Sequence, residues 1–446
     1  MLVLLCIVIS VFALYVVFKK PHIGLPISVL LMYNPIYSLY QLNLLGFESA
    51  RVRIALSVLS VILIIALLLI RSIGAHSNYS ISFCIIDNHI LYITMIIIIG
   101  IIIGFLRNNP IREIFASVFP LVEFIAFFYL TRVIIKCKED ITNVQKLALC
   151  IILLNVLFAL INYINYGPHY YFKFDIDGVI LPRLNDFMMP IFVPILFTYY
   201  LYIQGTPYRH IVFISLILSI LVTMLGGFRS VWIAILVSTA YTTVILKDTR
   251  RHVLVSLLFP IITVVILIVF ASHIIPAFSP SYNINIFDIV LNRMSIDEMY
   301  VGSSVSGRLL TYKSILYNSF LFPYIFIGHG FGSSFNMLMP YDNIYGNLPI
   351  TSSPSALLNL LYEIGLIATI YICIVGYSMI KRLKLLKVRY DNVYQHIFHI
   401  SISSAIISEI IVMNIFPAFL HFPIGALFGI AFGIIVKSNT HIENQT

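Results

Sequence analysis

Three short polar segments carry the residues of this chain that could do chemistry. The first reads Leu225-Gly226-Gly227-Phe228-Arg229-Ser230-Val231-Trp232, with an arginine between the end of one apolar run and the start of the next. The glycine pair permits a tight turn, and a helix starting at Arg229 aims its free amides at the same point. A guanidinium beside helix-end donors makes a seat for phosphate or pyrophosphate. The competing reading is an arginine snorkelling at a membrane interface, with Trp232, the only tryptophan, as a belt residue. The second segment holds Ser306-Gly307-Arg308, Pro323 and Gly328-His329-Gly330-Phe331-Gly332. Alternating glycines, Gly328 and Gly330 first among them, allow close backbone approach to a ligand and positive φ angles. An ordinary loop, with Arg308 touching lipid headgroups, is the plainer alternative. The third is Leu357–Ile367 (LLNLLYEIGLI), which places Glu363 inside an apolar run. A carboxylate within a membrane is costly and marks either function or a structural pairing. Glu123 and Glu409 are further acids of this kind, with no motif around them.

The elements that position these segments are apolar runs at 1–18, 23–45, 54–70, 89–106, 114–135, 144–164, 188–203, 211–226, 231–246, 253–275, 355–380, 395–416 and 417–436. A bilayer core of ~30 Å is crossed by about 20 apolar residues in a helix. With 60% hydrophobic and 10% charged residues, and a mean hydropathy of +1.01, a water-soluble domain is excluded. The runs are continuous and lack period-2 alternation, so helices are expected and a barrel is not. The fold class is therefore all-α: one polytopic transmembrane bundle over 1–446. Run 23–45 carries Pro26, Asn34 and Pro35, which sets the range at about 12–14 spans. Met1–Phe18 has neither a basic leader nor a small-residue cleavage site and reads as a retained span. The five cysteines (Cys6, Cys84, Cys137, Cys150, Cys373) are scattered and form neither a disulfide framework nor a metal site.

The formal charge of +9 has a topological origin. Placing the 381–394 linker inside, and alternating outward from it, puts 17 of the 27 basic residues on that side. The positive-inside rule makes that side cytoplasmic, and no nucleic-acid partner is implied. Two longer segments then fall outside. They are Tyr166–Phe187, with Arg183, Asn185 and Asp186, and Pro276–Pro354, which holds most of the polar residues. Loops of the second size are usually functional or carry small folded elements. Within it, Ser306–Phe320 spaces Leu309, Leu310, Ile315, Leu316 and Phe320 as an amphipathic helix lying on the outer interface.

Taken in order, Arg229-Ser230-x-Trp232, then Ser306-Gly307-Arg308, then Pro323-x4-Gly328-x-Gly330-x-Gly332, then Leu357-x-x-Leu360-Leu361-x-Glu363-x-Gly365-Leu366, the chain resembles the O-antigen ligase/polymerase family. Leu181–Met188 (LPRLNDFM) is similar to that family's earlier outer-loop segment, and the likeness covers roughly 178–370. It implies a GT-C-like glycosyltransferase in a bacterial inner membrane, with its active site facing the periplasm. The implied donor is an oligosaccharide on undecaprenyl pyrophosphate, with membrane lipid and a chain-length regulator protein as further partners. Arg183, Arg229 and Arg308 would neutralise the leaving pyrophosphate without a metal or other cofactor. His329 is the candidate base for the acceptor hydroxyl, with Glu363 and Asp186 behind it. Ligases of the family carry a His-Asn pair nine and eight residues before the glutamate, where this chain has Pro354 and Ser355. That departure favours a repeat-unit polymerase over a ligase delivering polymer to lipid A-core. A lipid-linked oligosaccharide flippase is the alternative from another class. It would concentrate charge along cavity-lining spans rather than in one long outer loop.

Overall fold

The computed structural model describes residues 15, 19–33, 85–166, 174–176, 179–181, 188–202, 208–226, 229–245, 303–335, 355–385, 393–415 and 424–443. Over them the chain is an α-helical membrane bundle. Its helices are α1 (Pro21–Tyr33), α2 (Ile85–Leu106), α3 (Ile111–Ile134), α4 (Lys138–Tyr166), α5 (Met189–Tyr202), α6 (Tyr208–Gly226) and α7 (Arg229–Ile245). After them come α8 (Ser303–Ser319), the single turn α9 (Tyr324–Ile327), α10 (Ala356–Leu385), α11 (Val393–Ile415) and α12 (Ile424–Glu443). Every apolar run expected from 89 onward falls on one of these helices, except 253–275. That run, with 54–70, residues 34–45 of the run 23–45 and all of 1–18 but Tyr15, lies outside the described residues. One departure from pure helix occurs in the 166–187 segment. There β1 (Phe174–Ile176) and β2 (Val179–Leu181) pair antiparallel, with Asp175 opposite Ile180.

Among the described residues, four helices contain segments long and apolar enough to cross a bilayer by themselves: Asp87–Leu106, Ile111–Ile134, Glu139–Leu157 and Ala356–Ser378. Helix α2 turns Leu91, Tyr92, Met95, Ile98, Ile99 and Ile102 outward while burying Ile90, Ile93 and Ile97. Apolar residues on the outward face suit lipid rather than water as the surrounding solvent. Helix α5 is different. It is buried on all sides from Met189 to Tyr199 and packs against α6, α7 and α11. A helix that is apolar all round belongs at the centre of a bundle, and this one sits there.

The most extensive helix pair is α3 with α12. Gly425, Gly429 and Gly433 recur every four residues and face Pro120, Phe124 and Thr131 in that order, so the two helices run parallel. Without side chains at those positions the backbones approach closely, and dispersion contacts replace the hydrophobic drive that lipid does not supply. A Cβ on Gly433 would lie 2.7 Å from the Thr131 Cβ. Helix α3 is tied to α2 by a buried ion pair between Arg132 and Asp87. The Arg132 guanidinium also lies 5.4 Å over the Phe128 ring.

Helix α8 forms where the apolar spacing in 306–320 places it. Its faces are sorted for lipid. Ile315 is buried with Phe335 and Tyr362, and Thr311, Ser314 and Ser319 also turn inward. Leu309, Leu316, Tyr317 and Phe320 are exposed, and exposed Phe322 follows them.

Candidate functional site

Helix α10 is broken at Gly365, whose φ of 80° and ψ of 174° are not helical. An L side chain there would be strained, and its Cβ would run into the carbonyl of Phe326. The break interrupts the hydrogen-bond ladder just above it, and the carbonyls freed within a membrane helix need new donors. The glycine turn after α9 supplies them. His329 N–H donates to the Tyr362 carbonyl and Gly330 N–H to the Glu363 carbonyl, each at 2.8 Å. Phe331 N–H goes to the Gly100 carbonyl at 3.2 Å, and Gly332 N–H to Glu363 Oε1 at 3.2 Å.

Glu363 is thus the hub of the knot. Its Oε1 also accepts from Ser117 Oγ of α3 at 2.7 Å, and the residue is 5% exposed. The arrangement can do one thing plainly, which is to lock α3, α10 and the turn together. The close approach expected at Gly328 and Gly330 is real, but its target is protein. A Cβ on Gly330, whose φ is +81°, would meet the backbone of Ile103 and Gly104. The Gly328 amide goes to the Tyr324 carbonyl at 2.9 Å. With the turn's amides engaged this way, they are not a phosphate cradle.

His329 sits between two tyrosine rings, Tyr324 and Tyr362, each with its centroid 4.2 Å away and within 29° of parallel. Arg107 Nη1 lies 2.9 Å from Nδ1, and the Asn318 carbonyl lies 3.3 Å from Nε2. A guanidinium only donates and a carbonyl only accepts, so the partners dictate a neutral ring protonated on Nε2. Burial pushes its pKa down; the Asn318 carbonyl pulls it up and the Arg107 charge pushes it down further. Both nitrogens are therefore occupied. The lone pair that a general base would offer to a hydroxyl is held by Arg107, so the geometry gives His329 a positioning role. Its partners lie as far as 222 residues away in sequence, which is why its spacing alone suggested a base.

Arg107 follows the last residue of α2, and its guanidinium carbon lies 4.1 Å from the Tyr324 ring centroid. Asn108 takes a left-handed φ of 57°, turning the chain so that Asn109 Nδ2 donates to the Phe331 carbonyl at 2.9 Å. The α2–α3 turn thereby also clamps the glycine turn. Arg107, Asn109, Ser117, Tyr324 and Tyr362 all escape a motif-based reading. The usable signal was local: a tyrosine adjoins Glu363, another opens the turn, and an Arg-Asn-Asn-Pro run separates two spans.

Of the other candidates, Arg183 and Asp186 lie outside the described residues. Arg229 is the first residue of α7, as its motif predicts, and Arg308 lies in α8; both are placed by backbone alone. Trp232 is no simple belt residue. Its indole N–H donates to the Thr223 carbonyl at 3.2 Å and closes the α6–α7 hairpin. Among the described residues no group of three or more His, Cys, Asp or Glu side chains is placed to hold a metal. The chain matches no protein-family model and no curated protein.

Proposed function

We propose that this chain is a membrane glycosyltransferase that polymerises oligosaccharide repeat units carried on undecaprenyl pyrophosphate. The product is a surface polysaccharide such as O-antigen, made at the periplasmic face of the inner membrane. One observation carries the reading. Two of the segments that carry the family likeness, Pro323–Gly332 and Leu357–Ile367, are packed onto each other by backbone hydrogen bonds at the break in α10. Segments far apart in sequence that form one knot at the end of membrane helices suit a built site better than two unrelated loops.

In the reaction, an acceptor hydroxyl oxygen bonds to the anomeric carbon of the donor sugar. The bond from that carbon to the pyrophosphate oxygen breaks, the lipid pyrophosphate leaves with the electron pair, and the hydroxyl proton is lost to a base. Arg183, Arg229 and Arg308 would hold the leaving charge. His329 and Glu363 act by shaping the site, which leaves Asp186 as the base candidate.

Deleting the gene and displaying surface polysaccharide on a gel tests this. A single-repeat product supports the polymerase. Polymer retained on its carrier would indicate a ligase, and carrier-linked units trapped in the cytoplasm a flippase. Reporter fusions at Asp177 and Asp297 test the side. Activity of a cytoplasmic reporter at either position would remove the periplasmic reaction.

A further inference from the structure

Arg107 is held in place by groups that do not neutralise it. Its guanidinium and the His329 imidazole lie edge to edge over the Tyr324 ring, and the imidazole is neutral. No carboxylate pairs with Arg107 among the described residues. The charges nearest in sequence, exposed Arg112 and half-buried Glu113 on α3, make no ion pair with it. Nη1 is spent on His329, and the rest of the fork has no protein acceptor among the described residues. A snorkelling arginine is mobile on its stem; this one is fixed by a cation–π contact and a hydrogen bond. Beside it the surface is apolar. Leu106 is 77% exposed and Phe322 82%, and Phe105, Ile111 and Phe326 are exposed as well.

We propose that Arg107 binds the phosphate group of a membrane-embedded lipid, presenting a pre-set planar fork to two of its oxygens while the adjoining apolar surface carries the lipid chain. A fixed guanidinium matches phosphate geometry with two donors at once, and pre-organisation lowers the cost of binding. This deepens the preceding reading and rests on it: the lipid is the pyrophosphate-linked donor, and Arg107 binds its phosphate.

The test uses the full chain in phosphatidylcholine nanodiscs, titrated calorimetrically with geranylgeranyl pyrophosphate and, separately, with geranylgeraniol. The wild type is expected to prefer the pyrophosphate. Arg107→Lys keeps the charge but loses the fork, and its affinity for the pyrophosphate should fall by about tenfold or more while alcohol binding is unchanged. Arg107→Ala should fall further; should that variant fail to insert, the Lys variant decides. A wild type that prefers the pyrophosphate, with a Lys variant that binds it equally well, overturns the role of Arg107 and leaves the proposed function standing. A wild type with no preference for pyrophosphate over alcohol removes the donor assignment itself. Nanodiscs containing phosphatidylglycerol separate the two phosphate sources. If that lipid abolishes both the preference and the Lys effect, Arg107 is a general headgroup contact and the inference is overturned.

Discussion

Ser117 Oγ donates to Glu363 Oε1 across 2.7 Å, joining two helices through residues 246 positions apart in sequence. The same oxygen receives the Gly332 amide, so one carboxyl group holds two spans and the turn between them. A buried polar hub of this kind is stable only while each member has its partner.

The hub fixes what substitutions should do. Ser117→Ala removes one donor to a buried oxygen and should cost about 1–3 kcal/mol, read as a lowered melting temperature in detergent. Glu363→Gln retains an acceptor oxygen for both donors and should melt close to wild type, whereas Glu363→Ala should be far less stable. Chain extension by the Gln variant is expected to survive. Its loss at an unchanged melting temperature would restore Glu363 as an acid or base and end the pin interpretation.

Gly330 and Gly376 make a matched pair for the backbone. At Gly330 the φ is +81°, and an added Cβ would lie 2.7 Å from the Gly104 Cα. Alanine there should destabilise by more than about 1 kcal/mol, because the native conformation does not admit it. At Gly376 nothing lies within 4 Å of the added atom, so alanine should leave stability unchanged or raise it slightly, as expected within a helix. Comparing the two melting temperatures checks the claim. Equal shifts would mean that the turn is not pinned as described.

The helices were legible because a membrane span is a one-dimensional signal: length and hydropathy suffice, and α2 through α7 begin and end close to their apolar runs. The α3–α12 contact was not read, because the Gly425-x3-Gly429-x3-Gly433 pattern that marks it is easily passed over among so many apolar residues. The knot was only half legible. Glycines and an intramembrane glutamate mark its position, yet their roles depend on where the chain returns. Nothing near His329 says that Arg107 will take its lone pair, and nothing near Gly330 says that its amide will meet a carbonyl freed at Gly365. Local chemistry suggested ligand contacts where the fold supplies protein contacts.

The buried pair between Arg132 and Asp87 sits at the end of α3 farthest from the knot. Removing one partner strands the other charge where little water reaches, and Asp87→Asn should cost about 3–5 kcal/mol. The double variant Asp87→Leu with Arg132→Met replaces both charges by apolar groups and should recover much of that loss. Melting the single and double variants side by side decides the matter. A double variant no better than Asp87→Asn would show that the pair contributes more than mutual neutralisation.

His329 gives the knot a pH dependence whose sign follows from its partners. Its folded-state pKa lies below the ordinary 6.5 because burial outweighs the upward pull of the Asn318 carbonyl, and the facing Arg107 charge adds a smaller downward push. A histidine with a lowered pKa binds its proton more readily in the unfolded chain, so stability is fully present above about 6.5 and declines as pH falls below it. Protonation would also aim a second N–H at Arg107, replacing a hydrogen bond with the repulsion of two cations. Melting temperatures between pH 7.5 and pH 5 should therefore fall more steeply for the wild type than for His329→Asn, which cannot take up the proton. Parallel profiles for the two proteins would mean that the imidazole is not held neutral between Arg107 and Asn318, and the tautomer assigned to it would have to be given up.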